Sequence, residues 1–219
     1  MTVKEIYFQA DTTGSVKLPM LSHSLTRKRS GIAKYKPETS ALLVLDMQNY
    51  FLLPASHAFL PSAPLIINGI QNLIRAYTTI NRPIIFTRHL NTIENAGSMA
   101  FWWRELLTPE NPFSGLSPEL DSSQGLVLEK SQYDAFFQTS LAEILTRTYT
   151  RQVVISGVMT HLCCETTART AFMEGYEVFF LANGTATYNA EHHHASLLNL
   201  SQGFAYLVNV EDILSRCKV

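Results

Sequence analysis

The stretch from Arg151 to Phe180, RQVVISGVMTHLCCETTARTAFMEGYEVFF, constrains the fold more than any other part of the chain. Its first apolar run, at residues 153–155, is β-branched and suits a strand that is buried on both faces. This run ends at Gly157, and residues with helical spacing follow until Gly175 stops the helix. A second strand pattern begins at residue 176. A strand, helix and strand in this order predict neighbouring parallel strands.

Two adjacent cysteines, Cys163 and Cys164, fall in the first turn of the predicted helix. The unpaired N–H groups of a helix start lower the pKa of a thiol and favour the thiolate. A cysteine between a strand end and a helix start is therefore placed as a nucleophile would be in an α/β protein. Considered alone, a pair packed in the core is the simpler interpretation. The third cysteine, Cys217, makes the count odd, which argues against a disulfide framework and favours a cytoplasmic protein.

Similar strand patterns recur along the chain and alternate with helical patterns. Together they predict a doubly wound, Rossmann-like α/β fold, with a six-stranded, mainly parallel sheet and helices on both faces. Neither GxGxxG nor GxxxxGK[ST] occurs, so the sequence supports no nucleotide cofactor. The predicted strands are residues 41–45, 83–87, 125–128, 153–155, 176–181 and 205–208.

Residues 1–40 are polar and irregular, and we interpret them as an N-terminal arm that lies on the domain or on a neighbouring subunit; a disordered arm is the alternative. Residues 41–219 then form one domain, a normal size for a single hydrophobic core.

The net charge of −1 indicates neither nucleic acid nor an anionic membrane as partner. The sequence contains no apolar run long enough to span a membrane, and its first residues lack the apolar core of a signal peptide. The expected partner is a small-molecule substrate.

Charged residues follow two of the predicted strands, at the edge where open parallel sheets bind ligands. Asp46 follows the first strand, and Lys130 follows the third. Each residue also has an interpretation without a catalytic role, because an aspartate at this position can cap a helix and a lysine at a strand end is usually solvated. Together with Cys163 they form a consistent set for acyl transfer. The carboxylate would take the thiol proton, and the lysine would supply positive charge.

Further polar and aromatic residues near the same edge are candidates for substrate contacts. The long segment from residue 91 to 124 is a predicted cover over the site, although its aromatic side chains could equally be packed beneath it. Backbone N–H groups around Met159 and Cys163 are candidates for an oxyanion site. The candidates for substrate binding are Gln48, Phe51, Arg88, Trp102, Tyr133, Phe136 and His161.

Five segments in order resemble the isochorismatase-like cysteine hydrolase superfamily, which includes nicotinamidases, N-carbamoylsarcosine amidase, ureidoacrylate amidohydrolases and isochorismatases. The segments are ALLVLDMQNYF (41–51), FTRH (86–89), EKSQYDAF (129–136), ISGVMTHLCCETTARTAF (155–172) and HHASLLNL (193–200). The resemblance implies a catalytic triad of Asp46, Lys130 and Cys163, and a cis peptide between Val158 and Met159. It also implies a homo-oligomer, either a dimer or a tetramer. The implied activity is hydrolysis of a C–N bond in an amide, carbamoyl or ureido compound through a thioester.

The chain departs from the family in its metal-binding residues. Nicotinamidases carry an Asp-x-His metal set, whereas this region offers His57 and His89 without a convincing carboxylate between them. We therefore predict no metal and no cofactor. Three consecutive histidines, residues 192–194, point in different directions on a helix and cannot all bind one ion.

Two alternatives to a C–N hydrolase stay open. Siderophore-pathway isochorismatases resemble this chain around His161 but have glycine at the position of Cys163. An isochorismatase that hydrolyses a vinyl ether with Asp46 as the acid is the first alternative. A non-catalytic small-molecule binding module is the second.

Overall fold

The computed structural model describes residues 3–10, 16–17 and 34–217. The described strands are β1 (Gln9–Ala10), β2 (Val16–Lys17), β3 (Ser40–Leu45), β4 (Ile84–His89), β5 (Leu126–Lys130), β6 (Gln152–Val158), β7 (Glu177–Ala186) and β8 (Tyr206–Val208). The described α-helices are α1 (Asn49–Leu52), α2 (Ala63–Thr79), α3 (Met99–Trp102), α4 (Leu141–Arg147), α5 (Glu165–Met173), α6 (Ala190–Gly203) and α7 (Val210–Arg216). Short 3₁₀ turns at Pro37–Thr39 and Ser122–Gln124 precede β3 and β5.

Six strands form one parallel sheet in the order β5-β4-β3-β6-β7-β8. The strands on either side of β3 come from opposite halves of the chain, so the direction of winding reverses at β3. This confirms the predicted doubly wound, Rossmann-like fold. Strands β1 and β2 form a separate antiparallel pair.

Alternate residues of the central strands pack on opposite faces of the sheet, as the geometry of a strand requires. On one face, Leu42 and Val44 join the apolar sides of α2 and α7. On the other face, Leu43 and Leu45 pack with α4, α5 and α6. Strand β3 is fully buried along its length, which explains its continuous apolar sequence. The carboxyl ends of the buried strands are thereby held at one edge.

Two predicted element boundaries are wrong in the same region. The sequence places the end of a strand at Gly157 and a loop at residues 183–185, whereas β6 continues to Val158 and β7 to Ala186. The pairing of β6 with β7 shifts register between Ile155 and Gly157, after which the two strands pair again. Gly157 adopts a φ of 107°, a conformation that glycine allows, so β6 continues past the register shift instead of ending there.

Part of the predicted N-terminal arm, at residues 1–2, 11–15 and 18–33, lies outside the described residues. Residues 3–8 are described, and Tyr7 and Phe8 are buried in the same core cluster as α2. No helix in the described part of the chain is long and apolar enough to span a membrane.

Candidate active site

The site begins where β3 and β6 run side by side and end. Gly157 pairs with Leu45, the residue immediately before Asp46. A Cβ atom on Gly157 would lie 2.1 Å from the carbonyl oxygen of Leu45, so only glycine permits this approach. The close contact holds the turn after β6 against Asp46, and that turn leads to Cys163.

The side chains of Asp46, Lys130 and Cys163 meet beyond the strand ends. The Nζ atom of Lys130 lies 2.8 Å from Oδ2 of Asp46 and donates to Sγ of Cys163 at 3.4 Å. It also donates to the carbonyl oxygen of Gln132 at 2.9 Å. The structure therefore brings together the three residues that the sequence predicts as catalytic.

The Asp46 carboxylate is fully enclosed by the protein. Its Oδ1 accepts a hydrogen bond of 2.6 Å from the hydroxyl of Thr87, which lies on β4 between β3 and β5. Burial opposes ionisation, but the charge of Lys130 and hydrogen bonds from Cys163 and Lys130 bring the pKa of Asp46 below its ordinary value. For Lys130, burial acts against the charged form, and the neighbouring Asp46 raises its pKa above the usual range. The pair is therefore ionised, so the carboxylate is available as a base.

The protonation of Cys163 differs from the sequence-based expectation. Burial and the charge of Asp46 raise the pKa of Cys163 to about 12, and Lys130 offsets only part of this rise. The residue also lies in a π-helical turn, Thr160–Cys164, which precedes α5. The expected thiolate is thus wrong for the free site, because burial outweighs the helix start and the neighbouring ammonium. The resting state holds a thiol beside an ionised carboxylate.

His89 is a buried neighbour of this group. Its Nε2 lies 2.8 Å from Oδ1 of Asn91, and its Nδ1 lies 3.5 Å from Nζ of Lys130. Since the amide oxygen of Asn91 only accepts, Nε2 carries the proton and Nδ1 faces the ammonium. Burial and the Lys130 charge lower the pKa of His89 to about 4. His89 is therefore neutral at physiological pH.

The turn before the nucleophile has the predicted backbone. The peptide bond between Val158 and Met159 is cis, as the family resemblance implies. Thr160 starts the π-helical turn, and its hydroxyl lies 3.0 Å from Nδ1 of the buried His193. Cys164 is buried beside Ser156, away from the cavity that Cys163 lines. The oxyanion site at Met159 and Cys163 stays a prediction.

A cavity of about 850 Å³ opens in front of Cys163. This volume lies within the range of pockets that hold drug-sized molecules. Of the residues predicted to contact substrate, the cavity is lined by Phe51, Trp102, Tyr133 and His161. Met159 and Cys163 from the nucleophile turn also line it.

Three of the predicted substrate contacts do not line the cavity, because other groups hold their side chains. The amide of Gln48 bonds to backbone atoms of His89 and to the carbonyl oxygen of Ser114. The Arg88 guanidinium donates to the same Ser114 oxygen at 3.0 Å and lies 3.2 Å from Glu129.

Phe136 is the third predicted substrate contact that does not line the cavity. It packs against Tyr176, with 6.1 Å between ring centroids, beside the core cluster on the other face of the sheet. Its position in the sequence gave no indication of which face it would occupy.

Several residues of the cavity wall were not among the predicted substrate contacts. Trp103 donates to the hydroxyl of Tyr133 at 2.8 Å, which joins the cover segment to the loop after β5. Tyr188 and His192 follow the long strand β7, and the ring of His192 lies 4.6 Å from that of His161. The signal for Tyr188 and His192 is the length of β7, because a strand that reaches the same edge as β3 brings the residues after it to the cavity. Lys4 lies outside the domain pattern, and no signal in the sequence links it to the site.

The histidines near the cavity do not fit a zinc site of the nicotinamidase type. Both ring nitrogens of His89 have partners, one of them an ammonium that would repel a metal ion. The ring nitrogens of His57 lie 3.3 Å from Glu105 and 3.3 Å from the hydroxyl of Tyr50. Over residues 3–10, 16–17 and 34–217, no three or more His, Cys, Asp or Glu side chains are grouped as metal ligands would be.

Comparison with known proteins identifies the family. The isochorismatase domain model matches residues 40–212. Nicotinamidase 3 of Arabidopsis thaliana is 37% identical over 193 residues, which cover 86% of this chain and 91% of that protein. Isochorismatase of Bacillus subtilis (strain 168) is 30% identical over 186 residues, or 82% of this chain and 58% of that protein. A cysteine hydrolase structure from Pseudomonas syringae pv. phaseolicola shares the fold, with a TM-score of 0.79, 23% identity, and coverage of 84% and 94%. The chain belongs to the isochorismatase family and is a hydrolase of that family.

Proposed function

We propose that this protein is a cysteine hydrolase that cleaves the C–N bond of a small amide through a thioester. The observation that carries the proposal is the position of the Cys163 thiol at the cavity, 3.4 Å from the ammonium that holds Asp46 ionised. A nucleophile, a base and a fixed positive charge are then in mutual contact. The 37% identity to a nicotinamidase supports an amide over other substrates of the family.

In the first half of the reaction, the Cys163 sulfur attacks the amide carbonyl carbon while its proton passes to Asp46. The carbonyl oxygen becomes an oxyanion, which backbone N–H groups around Met159 and Cys163 would stabilise. Asp46 then gives the proton to the leaving nitrogen, the C–N bond breaks, and the acyl group stays on sulfur as a thioester.

In the second half, water attacks the thioester carbonyl carbon and gives a proton to Asp46. The C–S bond breaks, Asp46 returns the proton to the Cys163 sulfur, and a carboxylic acid leaves. Lys130 stays protonated throughout. Its role is to keep Asp46 charged between proton transfers, which burial alone would oppose.

The test is hydrolysis of nicotinamide and of simple aliphatic and aromatic amides, measured as ammonia release. Cys163→Ala is expected to lower turnover by about 10⁴-fold or more, since it removes the nucleophile. Cys164→Ala is the matched control and is expected to keep activity, because Cys164 does not line the cavity. Mass spectrometry of wild-type protein quenched during turnover is expected to show an acyl adduct on Cys163.

Isochorismatase activity is the second candidate, supported by the 30% identity to the Bacillus subtilis protein. Here Asp46 would act as an acid on a vinyl ether, and Cys163 would not be needed. Pyruvate release from isochorismate that survives in Cys163→Ala but not in Asp46→Asn would establish this function and refute the thioester route.

A further inference from the structure

The N-terminal segment at residues 3–8 crosses between two loops at the cavity, although it lies outside the matched family domain. One of these loops contains His57 and Ser62. Nζ of Lys4 donates to the carbonyl oxygen of His57 at 2.6 Å. The hydroxyl of Ser62 donates to the carbonyl oxygen of Glu5 and accepts from the N–H of Tyr7, both at 3.1 Å. The segment is thus attached to this loop through Lys4, Glu5 and Tyr7.

The second loop follows β7 and contains Thr187 and Tyr188. The N–H of Glu5 donates to the carbonyl oxygen of Tyr188 at 2.9 Å. The N–H of Thr187 donates to the hydroxyl of Tyr7 at 2.8 Å. Since the ring of Tyr7 is buried in the core, the segment has a fixed position between the two loops. His57 and Tyr188, one from each loop, line the cavity.

Lys4 is the residue of this segment that lines the cavity. It is exposed, and its Nζ lies 5.4 Å from the centroid of the Tyr188 ring. An ammonium has three N–H donors, and the bond to His57 uses one of them. Arg104 supplies a second cationic side chain to the wall. The carboxylate of Glu105 lies on the same wall, 3.3 Å from Nδ1 of His57.

We propose that residues 3–8 form part of the substrate pocket, and that Lys4 binds an anionic group of the substrate, remote from the amide. A carboxylate is the simplest such group, because it accepts from an ammonium and its single negative charge offsets the excess of Lys4 and Arg104 over Glu105 on the wall. Aromatic side chains cover other parts of the wall, and a cavity of about 850 Å³ is large enough for a substrate that contains a ring. The inferred substrate class is therefore an amide that also carries a carboxylate. This inference rests on the proposed function, which identifies the cavity as the substrate pocket.

The experiment compares 4-carbamoylbenzoate with its neutral analogue 4-methylbenzamide. Binding of each is measured by calorimetry to the Cys163→Ala variant of the whole 219-residue chain, where no turnover occurs. The anionic amide is expected to bind about tenfold more tightly, the effect of one hydrogen bond between charged groups. When Lys4→Met is added, the two amides are expected to bind with nearly equal affinity. Lys4→Arg is expected to retain most of the preference for the anionic amide. Lys36→Met is the matched control, because Lys36 is exposed but does not line the cavity.

Equal affinities for the two amides, failure of both to bind, or a preference that persists in Lys4→Met would each overturn the inference. Hydrolysis of the same amides by wild-type protein is measured separately. A protein that binds 4-carbamoylbenzoate through Lys4 but releases no ammonia would refute the proposed function and leave the anion site standing.

Discussion

The ammonium of Lys130 lies 2.8 Å from the Oδ2 atom of Asp46, and both side chains are almost completely excluded from solvent. In such surroundings, an ion pair is stable only when both charges are present and bonded to further groups. Thr87 supports Asp46, and the carbonyl oxygen of Gln132 supports Lys130. The pair therefore sets the charges around Cys163 before any substrate arrives.

Asp46→Asn is expected to separate thiol ionisation from catalysis. The substitution removes the negative charge that raises the pKa of Cys163 and leaves the positive charge of Lys130, so the pKa of Cys163 falls. We expect Cys163 to react faster with iodoacetamide at pH 7.5 than in the wild type, while amide hydrolysis is lost with the base. An unpaired Lys130 is also expected to cost roughly 3 kcal/mol of stability.

The measurements are the alkylation rate of the peptide that contains Cys163, by mass spectrometry, and ammonia release. Asp121→Asn is the control, since it removes an exposed carboxylate near Ser123 that does not line the cavity. Slower alkylation in a folded Asp46→Asn protein would contradict the assigned effect of the Asp46 charge.

Alkylation of the wild-type protein is expected to increase continuously with pH. Because the pKa of Cys163 is raised to about 12, the thiolate fraction grows by roughly tenfold per pH unit between pH 7 and 10. The measurement is the iodoacetamide rate across this range in Cys164→Ala, which leaves Cys163 as the cysteine at the nucleophile turn. A rate that is already constant at neutral pH would show that the free site holds a thiolate.

Gly157→Ala is expected to destabilise the protein more than Gly175→Ala. Both glycines have positive φ, of 107° and 89°, so both substitutions carry backbone strain of roughly 1–3 kcal/mol. At Gly157 the new Cβ would also lie 2.1 Å from the carbonyl oxygen of Leu45, whereas no atom lies within 4 Å of it at Gly175. Urea unfolding is expected to show a larger loss for Gly157→Ala, accompanied by loss of activity. Equal losses would mean that the contact with Leu45 is unimportant.

The stability of the protein is expected to decrease below pH 6.5, in part because of His193. Burial lowers the pKa of His193 to about 3, and its Nε2 lies 2.9 Å from the carbonyl oxygen of Ala182. Unfolded chains bind a proton at this histidine below pH 6.5, whereas the folded protein does not until about pH 3. The free energy of unfolding therefore falls by about 1.4 kcal/mol per pH unit across this window as the pH is lowered.

His193→Gln is expected to remove this contribution and so reduce the slope of unfolding free energy against pH between 6 and 4. Urea titrations at several pH values provide the measurement. His192→Gln, an adjacent partly buried residue, is the control. A slope that is unchanged in His193→Gln would show that another group is responsible.

The sequence predicted the sheet because local patterns identify buried strands. Residues 41–45 and 153–155 are apolar without alternation, which is typical of strands covered on both faces. Asp46 directly follows β3 and Lys130 is the last residue of β5, and parallel topology brings these strand ends to one edge. These features depend on short stretches of chain, so a single sequence contains them. The extension of β7 was missed because it depends on its pairing with β6 beyond Gly157.

The sequence by itself determined the parallel fold and the three residues that meet at its edge. Only the tertiary structure decided that Cys163 holds its proton, because the pKa depends on burial and on the balance of charges around the sulfur. It also directed Arg88 toward Ser114 and Glu129 and brought Lys4 to the cavity wall. Side-chain direction and contacts between distant segments arise from packing of the whole chain, so no local pattern contains them.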